Sequence, residues 1–297
     1  MSTTCTSRNG CTSRNGQGSA RVVGLLIAGL TLGAAGAEAA ELTWQTDPQR
    51  ALSAARTERR AVLLDFWADW CGPCKAMDRN FWSRQDIAER SHRMTFVRVD
   101  YDRSRGLAMQ HGVSAIPAVI VLDPWQNPIA SIVGFGDTRQ LELILQQIPE
   151  DFSEVEPWMT ALEKDKKDLV ALRGLGAFYL GHKFLTVSTH YYERALKSPA
   201  AKKDDKTRGD LHVALGWNYI NMRDNKRARE QFTHALEVAS IERPDIALFG
   251  LVVANAGLGK RADAEKALAE LSSRFPESQA VTEARERLAA TGKSGQR

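Results

Sequence analysis

Cysteine is scarce in this chain: four in 297 residues, two of which, Cys5 and Cys11, stand near the start. A fold held by a disulfide framework would carry more of them, so cross-links do not define the architecture. Charge of one sign is also lacking. The formal net charge is +4 and drops to +2 when Arg8, Arg14, Arg21 and Glu38 of the leading segment are set aside. So near-neutral a balance excludes nucleic acid as the main partner. The apolar run Val22 to Ala37 stops at 16 residues and contains several glycines, short of the roughly 20 that span a bilayer as a helix. Preceded by Arg21 and followed by Ala37-Glu38-Ala39, it fits a cleavable signal peptide, residues 1–39, and hence an exported protein. If the leader stays uncleaved, it would hold the protein at the inner membrane. No cysteine stands at the cleavage position to carry a lipid. The near-duplicated CTSRNG at Cys5 to Gly10 and Cys11 to Gly16 has no physical account.

The 297 residues are too many for one small domain, and the sequence divides in the middle. Across residues 40–150 strand-like apolar runs alternate with helical stretches, the signature of an α/β unit. Strands are expected at Ala61 to Trp67, Thr95 to Asp100, Ala118 to Leu122 and Ile129 to Val133, with a turn at Asp123 to Asn127. Helices are expected at Asp47 to Arg60, Gly72 to Phe81, Arg103 to His111 and Thr138 to Ile148. Residues 151–157, acidic and containing Pro157, read as a linker.

Beyond it, residues 158–292 carry no strand signal. Gly176, Tyr179, Tyr192 and Ala195 recur forty residues on as Gly216, Tyr219, Phe232 and Ala235, with Ala228 at the small position between helices. A weaker third copy has Ala264, Leu268, Leu271 and Pro276, with Val252 and Asn255 replacing the glycine and tyrosine. The spacing resembles the tetratricopeptide repeat, a helix pair of about 34 residues, lengthened here by insertions such as Lys202 to Lys206. Small residues let paired helices approach while aromatics fill the gap, and Glu277 to Ala290 is expected to cover the last apolar face. The resemblance implies an all-α repeat domain whose groove docks a protein partner; core packing accounts for its aromatics.

With the leader removed, only Cys71 and Cys74 remain. Three residues apart, they close too short a loop to restrain an unfolded chain, so structure alone is a poor reason for the pair. Leu63 to Lys75 reads LLDFWADWCGPCK, a buried strand leading into cysteines at a helix start. The free N–H groups there stabilise a thiolate, which makes Cys71 the nucleophile and Cys74, one turn further in, the resolving thiol. Gly72 permits the tight turn and Pro73 fits an early helical position.

Asp65-Phe66-Trp67-Ala68 and Trp70-Cys71-Gly72-Pro73-Cys74-Lys75 closely resemble thioredoxin over Asp47 to Gln147. The resemblance implies a thioredoxin fold whose redox-active Cys71–Cys74 disulfide replaces any bound cofactor. It makes Asp65 the buried carboxylate that serves the resolving cysteine, and Trp67 and Trp70 the aromatics beside the pair. It makes Pro117, after Ile116, the cis-proline whose neighbouring backbone meets the substrate; Trp70, Ile116 and Pro117 thus become the substrate-binding set. Arg98 departs from the pattern, standing where thioredoxins commonly have a lysine, and an arginine does not readily give up its proton. Ala68-Asp69-Trp70-Cys71, Asp78 to Phe81 and Gly134 to Asp137 resemble instead the C-terminal domain of the bacterial membrane thiol reductase DsbD. This second likeness implies a periplasmic reductant relay, acting on protein thiols and disulfides and recharged by a membrane electron donor.

Zinc is disfavoured, because Cys71 and Cys74 are half a site and His92 and His111, expected on the surface, lack ligand spacing. Gly72-Pro73 places no cation beside the thiolate, which favours a protein-disulfide reductase over an oxidase or isomerase. The other class, a non-catalytic repeat scaffold, would be marked by loss of a cysteine, Asp65 or Pro117, and all are present.

Overall fold

The computed structural model describes residues 42–136, 138–238 and 240–294. The leader with Cys5, Cys11 and the duplicated hexapeptide, and also Asp137, lie outside the described residues. Among the described residues no helix is long and apolar enough to cross a membrane.

The α/β half runs β1 (Trp44–Gln45), α1 (Pro48–Glu58), β2 (Ala61–Trp67) and α2 (Gly72–Met77), the last continuing as a π-helical turn, Asp78–Trp82. Then come α3 (Gln85–Ala88), a 3-10 turn (Glu89–His92), β3 (Met94–Asp100), α4 (Arg105–Gln110), β4 (Ala118–Leu122), β5 (Pro128–Val133) and α5 (Thr138–Gln147). The strands form one sheet in the order β1-β3-β2-β4-β5, parallel up to β2 and antiparallel beyond it. Helix α1 starts where expected: Asp47 accepts the Arg50 N–H at 3.1 Å and Pro48 opens the first turn. The expected helix Gly72 to Phe81 keeps α geometry only to Met77; the wider π turn after it buries Phe81 and Trp82, which are neighbours in sequence.

Because side chains alternate along a strand, β2 sends Val62, Leu64 and Phe66 to one face, where Leu52 and Ala55 of α1 and Ala108 of α4 cover them. Ala61 and Leu63 face the other side, with Met77, Phe81, Trp82, Leu141 and Leu145. Asp65 falls in step with that second set, a carboxylate at a position the pattern reserves for an apolar side chain.

The second face is not closed by α5 alone. Its buried cluster continues through Ile148, Phe152 and Val155 into Leu162, Leu172, Phe178 and Tyr179. Residues 151–157, read as a linker, therefore join the halves as a packed connection with Phe152 and Val155 buried. Arg56 of α1 and Arg59, which caps its C-terminus, also reach Glu163 and Glu156, at 2.6 and 2.7 Å, on α6 (Glu156–Lys164).

The remainder is helical: α7 (Leu169–Gly181), α8 (Leu185–Leu196), the short α9 (Pro199–Lys203), α10 (Asp205–Asn221), α11 (Asn225–Glu237), α12 (Pro244–Gly257), α13 (Arg261–Arg274) and α14 (Gln279–Ser294). The arrangement is compatible with the repeat pattern. A Cβ on Gly176 would lie 2.5 Å from the Tyr192 ring, and one on Gly216 or Gly250 would lie 2.5 or 2.3 Å from the Phe232 ring. Each aromatic therefore occupies space that only glycine leaves open. Gly174 meets Trp158 of α6 in the same way, at 2.3 Å, so α6 behaves as the second helix of a half repeat that the forty-residue spacing does not include.

The two repeat tyrosines show what the α/β half is to the helices. Tyr219 donates its hydroxyl hydrogen back to Glu193 of the preceding repeat at 2.8 Å. Tyr179 donates at 2.6 Å to the buried Asp123, in the turn between β4 and β5. That turn thus supplies the acceptor that the preceding repeat supplies to Tyr219. Asp123 also accepts from the Trp125 and Asn127 backbone and from Asn127 Nδ2, and desolvation by burial still raises its pKa. Tyr179→Phe removes a donor from a buried carboxylate and is expected to lower stability by about 1–3 kcal/mol. Urea denaturation measures this; a change within about 0.5 kcal/mol would mean the turn alone satisfies Asp123.

Candidate active site

Strand β2 ends at Trp67 and the chain enters α2 five residues later, at Gly72, which places Cys71 as the N-terminal cap of that helix. Its Sγ accepts the Cys74 backbone N–H at 3.1 Å, and the two cysteines form a disulfide with their Cα atoms 5.3 Å apart. When the pair is reduced, the same N–H would face the Cys71 sulfur and favour its thiolate. Both residues are almost covered, at 2% and 3% exposure, packed with Ala68 against Trp67 and Ile116.

Ile116 reaches the pair from the loop leading into β4. The Ile116–Pro117 bond is cis, and the Pro117 carbonyl accepts the Gly134 N–H at 2.7 Å. Trp70 is 66% exposed, a large apolar surface beside the disulfide. Its indole N–H donates to Asp102 at 2.7 Å, and Arg105 pairs with Asp102 at 2.6 Å. Of the residues singled out by sequence, Cys71, Cys74 and Ile116 share one packed cluster, Pro117 adjoins it, and Trp70 stands exposed at its edge.

Asp65 lies within the sheet, facing the core on the side of Met77 and Trp82. In the parallel register of β2 and β3 it stands beside Arg98. Its Oδ2 is 3.0 Å from Arg98 Nε, but that approach is poorly aligned, and neither Asp65 Oδ1 nor the buried Trp82 Nε1 has a well-formed hydrogen bond. Desolvation outweighs the attraction of Arg98 and pushes the Asp65 pKa up to about 7, with Asp78 adding to the rise. A carboxyl group tuned to that range can hold or release a proton near neutral pH.

Arg98 is itself held tightly. Its guanidinium lies over Trp44 at 4.4 Å and over Trp67 at 5.2 Å, and its terminal nitrogens pair with Asp78. In the sequence Asp78 stands out only through a resemblance, and Trp44, Trp82 and Asp102 do not stand out as part of the site. A signal existed for Asp78, which follows Cys74 by one helical turn. None existed for Trp44, whose strand is two residues long. His111, expected on the surface, is instead half-buried at the end of α4, and burial lowers its pKa. Among the described residues no cluster of three or more His, Cys, Asp or Glu is placed to hold a metal ion.

Comparison with known proteins supplies the relatives of this site. The family model described as thioredoxin-like matches residues 43–124. Thioredoxin Asp f 28 of Aspergillus fumigatus is 31% identical over 94 residues, which are 32% of this chain and 83% of that protein. The mitochondrial thioredoxin of Bos taurus is 32% identical over 87 residues, 29% of this chain, and the chain spans 51% of that protein's length. Among solved structures, the reduced thioredoxin pre-protein of Schistosoma mansoni is similar at 26% identity and a TM-score of 0.32, over 37% of this chain and 99% of its own.

Proposed function

This chain belongs to the thioredoxin-like family, and from that premise we propose that it is an exported protein-disulfide reductase or electron relay whose helical repeats dock a partner. The observation that carries the reading is the Cys71–Cys74 disulfide, with Cys71 capping α2 beneath Ile116 and beside the exposed Trp70.

In the proposed reaction the Cys71 thiolate attacks one sulfur of a substrate disulfide seated against Trp70, Ile116 and Pro117. The S–S bond breaks, one substrate sulfur leaves as a thiolate and takes up a proton, and a mixed disulfide remains on Cys71. Cys74 gives its proton to Asp65 and attacks Cys71, releasing the second substrate thiol. The substrate gains two electrons and two protons, and the protein pair becomes the disulfide. A membrane-borne dithiol on the periplasmic side of the inner membrane would then return two electrons for the next cycle.

The neutral Gly72-Pro73 dipeptide supports the reducing direction, because nothing in it adds positive charge beside the thiolate to stabilise the reduced form further. Equilibrating the pair with glutathione, and following the signal of Trp67 and Trp70, measures its reduction potential. We expect a value near that of thioredoxins, about −270 mV. A value near about −120 mV, that of strong disulfide oxidants, would reverse the assignment to an oxidase or isomerase.

A further inference from the structure

Asp65 and Arg98 stand side by side on adjacent strands, both on the core face of the sheet. A guanidinium so placed ordinarily engages a carboxylate with two parallel hydrogen bonds. Here it does not. Arg98 turns its fork away, giving Nη1 and Nη2 to Asp78 in the π-helical turn and leaving Asp65 the single, poorly aligned Nε. The guanidinium lies over the Trp44 and Trp67 rings, which keep it in place without themselves choosing between the two carboxylates. The asymmetry runs against exposure: the side chain that receives the fork, Asp78, is 35% exposed, whereas Asp65, left with one unpaired oxygen, is 3% exposed.

We infer that Asp78 and Arg98 are positioning residues for Asp65: Asp78 draws the Arg98 fork away, and so keeps the buried carboxylate under-bonded and able to accept a proton. This deepens the proposed exchange reaction and rests on it for its purpose, though not for its test. The charged groups facing Asp65 are Arg98 from β3 and Asp78 from the turn after α2; on β4 its neighbour is Val119, and from the π turn the neutral Trp82 indole N–H acts on the carboxyl and opposes the rise, least among the causes. If Asp78 loses its charge, the fork is released and its pairing with Asp65 favours the ionised form.

The test is the titration midpoint of the Asp65 carboxyl carbon, read by 13C NMR in the full-length oxidised protein labelled at aspartate and assigned with Asp65→Asn. In Asp78→Asn the midpoint is expected to move to lower pH by about one unit or more. In Arg98→Met it is expected to rise. In the Arg98→Met background, adding Asp78→Asn should move it far less than in the wild-type background, because only direct repulsion between the two carboxylates then remains. An unmoved midpoint in Asp78→Asn, or equal shifts in the two backgrounds, overturns the inference. The midpoint is read without turnover: a protein that fails to exchange disulfides yet shows these shifts refutes the proposed reaction alone, and one that exchanges without them refutes this inference alone.

Discussion

Replacing Cys74 with alanine is expected to stop turnover and leave substrates covalently attached to Cys71. The step removed is the second one. Cys71 keeps its place as the α2 cap, and the residue 74 N–H that now points at its sulfur belongs to the backbone, so alanine supplies it as well. Attack on a substrate disulfide therefore proceeds, but no neighbouring thiol resolves the product. Steady-state reduction of a disulfide substrate should fall by about three orders of magnitude or more, as when one member of a catalytic pair is lost. Adducts should appear on a non-reducing gel, disappear with dithiothreitol, and be absent when Cys71 is also replaced. Cys71→Ala alone should lose turnover equally and trap nothing. Adducts in the Cys71→Ala protein, or none in Cys74→Ala, would assign the nucleophile wrongly.

The elements around that pair were legible in sequence to different degrees, for physical reasons. Strands β2 and β4 begin and end at the residues expected, because both are buried throughout except at Trp67, and an apolar run, broken in β2 only by Asp65, has sharp edges. The cysteines were legible because their chemistry is written in residue types at short range, whereas the cis proline was legible only through the resemblance to thioredoxin. Pairing is not. That Asp65 meets Arg98 depends on the register of β2 and β3, whose strands are separated in sequence by two helices and two irregular turns. The Asp78 pairing adds a π turn, which has no reliable signal in local sequence. The repeat domain shows the same division. Its internal contacts follow from periodicity, because the Gly176–Tyr192 contact of the first copy returns as Gly216–Phe232 at matching positions in the second. Its attachment through Tyr179 and Asp123 joins residues 56 apart, and appeared in sequence only as a motif tyrosine and a turn aspartate.

The largest stability effect is expected at Asp65, with its sign set by the direction in which burial shifts it. The folded-state pKa is raised from 3.8 to about 7, so between these values the native protein holds a proton that the unfolded chain has released. Stability contributed by this group is therefore present at low pH, declines as pH rises from about 4 to about 7, and stays lost above. Asp65→Asn removes the titration while keeping the size of the side chain. The variant should gain on the wild type by an amount on the order of 3 kcal/mol between pH 4 and pH 8, since each pKa unit corresponds to about 1.4 kcal/mol. Denaturant titrations of both oxidised proteins at the two pH values measure that difference. Asp123, whose pKa is also raised, titrates in both proteins and cancels from the comparison. Parallel stability curves would mean that Arg98 holds Asp65 ionised, and its role as a proton acceptor near neutral pH would fall with them. A curve that converges at pH 4 and separates at pH 8 would identify a carboxylate kept at the expense of stability, as a buried group with a chemical task requires.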